Sequence, residues 1–217
     1  MKVTHAILAV PTPKDLYNED YLFVDKKKIE NKYQNTKPLK ILFLSNMLTG
    51  KGHIELAKAY KILPETYKFF VEIDFAGKLL SNKSDFISLL NDETNLKYHG
   101  SVSGEKKRKL FSNAHIFCLP TYYRYEGQPF SIIEAYASGA VVITTDHSGI
   151  GQIFENTKNG FYVEKKSVSS IRNKIVNILD NKDILIKIAI YNNRLANNRY
   201  KSSHYLSAMD KVFNKIL

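Results

Sequence analysis

Two glutamates, Glu126 and Glu134, bracket the seven-residue segment Gly127-Gln128-Pro129-Phe130-Ser131-Ile132-Ile133. Two carboxylates this close in sequence can act as an acid and a base, or they can hold hydroxyl groups. Pro129 suits the first position of a helix, where a missing N–H costs nothing, and Gly139 suits the position just past its end. Glu126 then lies in the loop before the helix and Glu134 in its second turn. The free N–H groups of Phe130 and Ser131 point into a crevice, where the helix dipole favours a phosphate. Glu134 stands among Ile132, Ile133, Ala135, Tyr136 and Ala137, so it is expected to be buried and to need hydrogen-bond donors. Sugar or ribose hydroxyls would supply them, and so would a nearby lysine. Taken singly, Glu134 reads equally well as the polar face of an amphipathic helix and Glu126 as a turn residue. Together, with Pro129 and the glycines around them, they read as a site.

The elements that must position this pair follow from the texture of the chain. From Lys40 onward, short apolar runs alternate with helix-length amphipathic segments, the pattern of a parallel sheet with crossover helices. Strands are expected at 41–44, 69–75, 96–99, 116–119, 141–144 and 161–163. Helices are expected near 53–63, 83–91, 104–112, 129–138, weakly at 150–155, and then consecutively at 167–180, 183–193 and 203–216. This is an α/β, Rossmann-like fold with flanking helices and a helical tail, whose ligands belong in the loops at the carboxyl ends of the strands. Residues 1–37, with Pro11-Thr12-Pro13 and a lysine-rich stretch, read as a linker-like segment, which leaves 38–217 as one domain.

The chain has 217 residues, 44% of them hydrophobic, and a formal charge of +11. That charge invites a nucleic-acid or anionic-membrane reading. However, 27 of the 32 basic residues are Lys, and the tightest runs, Lys26-Lys27-Lys28 and Lys106-Lys107-Arg108, have acidic neighbours at Asp25, Glu30 and Glu105. They read as solvated faces, with a weak attraction to anionic lipid left open. No apolar run approaches the roughly 20 residues of a membrane span or the core of a signal peptide. The single Cys118 reads as a small hydrophobe on a buried strand, and a cytoplasmic location follows most simply. The six histidines show no spacing typical of metal ligands, and there is no G-x-S-x-G. Gly50-Lys51-Gly52 is not a P-loop, since no Ser or Thr follows Lys51. Tyr122, Tyr123 and Tyr125 beside Arg124 could stack on bases, but their place in this loop favours shaping the sugar or acceptor side.

The run Glu126-Gly-Gln-Pro-Phe-Ser-Ile-Ile-Glu134-Ala resembles the signature of retaining glycosyltransferases of family 4, which have the GT-B fold. The segments Ile41 to Met47 with Lys51-Gly52-His53, Tyr98 to Val102, and Asp146 to Gly151 resemble further parts of the family's C-terminal donor domain, in order, over roughly residues 38 to 195. The resemblance implies that Glu126 contacts the transferred sugar and that Glu134 holds the ribose. The backbone of Phe130 and Ser131 would then bind the diphosphate, Gly127 and Asn46 would be further donor-binding residues, and Lys51 would be the phosphate-binding lysine. Gly100 and Val102 would border the nucleobase. The family often has Arg five residues before that lysine; here the position is Asn46, which removes one of two expected cationic contacts.

The implied reaction is retaining hexosyl transfer from a nucleoside-diphosphate sugar to a saccharide or lipid-linked acceptor, with no metal and no cofactor beyond the donor. Lys51 and Glu126 would stand at the reacting centre. An N-terminal acceptor domain or subunit is expected as partner and contact with the inner membrane face is compatible with this reading, while nucleic acid is not expected. The expected chain is a fragment, a split subunit or a decayed gene product that binds nucleotide without transferring sugar unaided. The alternative is a non-catalytic nucleotide-sugar-binding or regulatory subunit.

Overall fold

The computed structural model describes residues 24–34, 36–201, 203, 204, 207, 210 and 214. Six strands form one parallel sheet: β1 (Leu39–Leu44), β2 (Val71–Ala76), β3 (Leu96–Tyr98), β4 (Ile116–Leu119), β5 (Val141–Thr144) and β6 (Gly160–Tyr162). Their order is β3-β2-β1-β4-β5-β6. The chain winds outward from β1 to β3, then returns to the other side of β1 to place β4, so the direction of winding switches between β1 and β4. In sheets of this kind that switch opens a crevice at the carboxyl ends of the strands. All four residues of β4 and of β5 are buried, as expected for a strand covered on both faces.

The helices are α1 (Lys26–Gln34), α2 (His53–Lys61), α3 (Glu65–Lys68), α4 (Lys83–Leu90), α5 (Gly104–Asn113), α6 (Phe130–Ala137), α7 (Val168–Asp180) and α8 (Asp183–Arg199). α2 packs with α4 and α7, while α6 packs with α8, which also receives α1. α7 buries Ile171, Ile175 and Ile178, one helical stripe, and its N-cap Ser167 accepts the Ser170 N–H at 3.2 Å. At the start of α2, the His53 ring contacts the rings of Phe43 and Phe86. Burial pulls its pKa down to about 4, so it is a neutral core residue.

Several expectations are corrected. The stretch expected to be linker carries α1, which is seated on the domain: Ile29 is buried, and Lys32 and Tyr33 bond to the main chain of α5 and α6 and their flanks. The weak helix expected at 150–155 is a 3-10 turn over Ser148–Gln152. Pro129 is the residue before the first helical turn rather than within it, with φ −64° and ψ 117°. The helix expected at 203–216 falls almost wholly outside the described residues.

α6 ends in a Schellman arrangement, with Gly139 N–H on Tyr136 O at 2.9 Å and Ala140 N–H on Ala135 O at 2.8 Å. Gly139 is left-handed, with φ +65°, and a Cβ there would lie 2.7 Å from Ile29 Cδ1. Glycine is therefore required both by conformation and by the seat of α1.

Candidate functional site

The crevice at the switch point is bounded by the loop after β1 and the loop after β4. These loops are bonded to each other: Tyr122 N–H donates to Gly50 O at 2.7 Å, and Thr121 Oγ1 reaches the same carbonyl at 3.3 Å. Gly52 sits against Pro120, whose carbonyl oxygen would lie 2.6 Å from any Cβ at that position. Close approach of the two loops brings Lys51 over the β4 side.

Both oxygens of Glu126 accept from Lys51 Nζ, at 3.0 and 2.9 Å, and Oε2 also accepts from Thr121 Oγ1 at 2.7 Å. Lys51 Nζ lies 4.7 Å from the centroid of the Tyr123 ring, a cation–π contact that holds it on the other side. Glu134 faces the same crevice from the second turn of α6, and its Oε1 accepts from Lys107 Nζ at 2.6 Å. The Glu134 and Lys107 side chains are 3% and 11% exposed, and an ion pair this sheltered is little screened by solvent. As the first residues of α6, Phe130 and Ser131 have N–H groups with no acceptor inside the helix.

The crevice has a volume of about 480 Å³. Of the residues singled out in the sequence, it gathers Asn46, Lys51, Val102, Glu126, Phe130, Ser131 and Glu134. Gly100 and Gly127 do not line it: Gly100 lies beside it, its carbonyl accepting the Gly77 N–H at 2.8 Å, and Gly127 backs onto Gly149. The lining also holds Lys78, Lys107 and Gln128, which were not singled out as site residues. Lys107 belongs to a run that reads as a solvated face. Its neighbour Lys106 fits that reading, but Lys107 turns inward, and the signal available for it was the need of Glu134 for a donor. Of the tyrosines, Tyr122 is tied to Glu55 at 2.6 Å, and burial with that bond pushes its pKa up to about 12. Tyr125 is 75% exposed at the rim, edge-on to Tyr123.

A larger groove, about 770 Å³, runs between β6 and α7. Its lining is polar, and none of its charged side chains is buried, so it has no equivalent of the two ion pairs. Among the described residues no three His, Cys, Asp or Glu side chains cluster as metal ligands, and no helix is long and apolar enough to cross a membrane.

The sequence profile described as glycosyl transferases group 1 matches residues 25–202. The chain is similar to the capsular polysaccharide biosynthesis glycosyltransferase CapM of Staphylococcus aureus, 25% identical over 200 residues that cover 89% of this chain and 51% of CapM. It is also similar to the N,N'-diacetylbacillosaminyl-diphospho-undecaprenol alpha-1,3-N-acetylgalactosaminyltransferase of Campylobacter jejuni, 25% identical over 172 residues that cover 77% of this chain and 43% of the relative. Its fold matches Anabaena Alr3699/HepE, solved with UDP and glucose, at a TM-score of 0.74 and 16% identity over 90% of this chain and 54% of that one. The chain spans between a third and about half of the length of the curated relatives it matches.

Proposed function

The chain belongs to the glycosyl transferases group 1 family, and we propose that its crevice holds the nucleoside-diphosphate sugar of a retaining, family 4 glycosyl transfer. The observation that carries this reading is the pairing of two buried carboxylates with two lysines around the start of α6. A phosphate suits the helix start, and hydroxyl groups suit carboxylates that are already held in place.

In this reading the diphosphate rests on the N–H groups of Phe130 and Ser131 with Lys51 beside it. Glu134 takes the ribose hydroxyls, and Glu126 takes hydroxyls of the transferred sugar. As the bond from the anomeric carbon to the diphosphate oxygen breaks, negative charge grows on the leaving phosphate. Lys51 and the helix start line the same crevice, and in this reading they meet that charge without a metal. The acceptor hydroxyl enters on the face the diphosphate leaves, which retains the anomeric configuration. The two glutamates orient and do not trade protons.

The acceptor is a saccharide or a lipid-linked saccharide, an assignment supported by the activity for which the Campylobacter relative is named. A second domain completes the acceptor side, so the chain alone binds donor but does not transfer sugar efficiently. Calorimetry with UDP-, GDP- and ADP-sugars tests this reading. Binding of one nucleotide class that is lost in Glu134→Ala supports it; no binding to any donor, or robust transfer by the chain alone, contradicts it.

A further inference from the structure

Three lysines, Lys51, Lys78 and Lys107, face two glutamates in the crevice, leaving one net positive charge. Two of the lysines are committed, Lys51 to Glu126 and Lys107 to Glu134. Lys78 makes no ion pair or side-chain hydrogen bond among the described residues and remains exposed at the crevice wall. Its backbone is fixed: Lys78 O accepts the Met47 N–H at 2.9 Å, and Leu79 bridges Met47 in parallel register. Lys78 therefore stands next to the loop that carries Asn46, a neutral side chain lining the same crevice.

An incoming diphosphate carries more negative charge than Lys51 can neutralise while it still serves Glu126. A free ammonium on the facing wall requires no existing pair to be broken. We propose that Lys78 supplies the second cationic contact to the diphosphate of the donor, taking the part for which Asn46 has no charge. This rests on the donor-site reading above and assigns to Lys78 a positioning and affinity role within it. The long, exposed side chain reaches the phosphate only when one is bound, so the contact forms on binding.

The test is calorimetry on the full chain with the nucleoside diphosphate of the preferred base and with the corresponding nucleoside. Lys78→Gln weakens binding of the diphosphate about tenfold, the worth of one hydrogen bond to a charged group, and leaves nucleoside binding within about twofold. Lys78→Arg retains affinity. Asn46→Arg, placed in Lys78→Gln, restores it, because a cation returns to the same crevice from the neighbouring loop. Equal diphosphate affinity in Lys78→Gln and the unaltered chain overturns the assignment, as does a loss shared equally by nucleoside and diphosphate. If the unaltered chain binds nucleoside but gains nothing from the diphosphate, both cationic roles fail. If it binds no nucleotide of any base, the donor-site reading falls and this inference with it.

Discussion

Two regions of the molecule bury charged and polar side chains, and they do so in different ways. In the seam where α1 and α8 meet α6, the partners are backbone carbonyls. Lys32 Nζ donates to Ala114 O at 3.0 Å and Ser138 O at 2.8 Å, Tyr33 Oη donates to His115 O, and Asn193 donates to Ala137 O. Asn192 donates to both Ala140 O and Asn159 O and accepts from the Asn159 side chain. No ligand can replace these carbonyls without unfolding the chain locally. In the crevice Glu126 is held by Lys51 and the Thr121 hydroxyl and Glu134 by Lys107; a ligand hydroxyl can replace a lysine at its carboxylate, and a ligand phosphate can draw the lysine away. Buried polarity is structural where the partner is main chain and exchangeable where it is a mobile side chain.

The largest effect that tests this division is expected in the seam. Asn192→Ala removes the side-chain donor to the Ala140 carbonyl and the acceptor of the Asn159 amide, while the Asn159 carbonyl keeps the Val142 N–H, a loss of about 3 kcal/mol. Thermal unfolding should show that loss, while nucleotide affinity in the surviving folded protein stays unchanged; a parallel loss of affinity would break the division. Next comes Glu134→Ala, expected to weaken nucleotide-sugar binding about a hundredfold, near 2.7 kcal/mol. Its stability should change by less than about 1 kcal/mol, because Lys107 can turn out to solvent.

Gly139→Ala sharpens the seam side. A left-handed alanine and its contact with Ile29 together cost about 1–2 kcal/mol. Adding Ile29→Ala should remove the contact and leave the backbone part, which a double-mutant cycle in urea can separate. The smallest effect concerns pH. Burial pulls the pKa of Lys32 down to about 7 from 10.5. The folded chain then binds fewer protons than the unfolded chain between these values, so stability should rise as pH increases through that window. From pH 7 to 8 the gain is about 1 kcal/mol, and Lys32→Met should flatten it.

How much of this was legible in the sequence depends on the kind of partner each residue has. β4 and β5 were read to the residue, since four consecutive apolar residues in β4, and three followed by Thr144 in β5, leave little freedom. The crevice was legible around Glu126 and Glu134 because carboxylates amid apolar residues must find donors. α1 was missed because its sequence, KKKIENKYQ, buries only Ile29 and docks by polar bonds, so no apolar stripe betrays it. Lys107 and Lys78 were hidden for another reason. A lysine's stem lets its charge reach several ångströms from its backbone, and sequence position alone does not say which way it turns.

Lys32 also joins the two helices that carry the ion pair of the crevice. Ala114 and Ser138 are the residues that close α5 and α6, so one ammonium pins the far ends of the two helices that carry Lys107 and Glu134. The two helices thus share one anchor at their carboxyl ends. Lys107 stands six residues before the end of α5, about 9 Å along an axis that rises 1.5 Å per residue. The ion pair in the crevice is therefore built between two helices whose carboxyl ends meet on a single side chain.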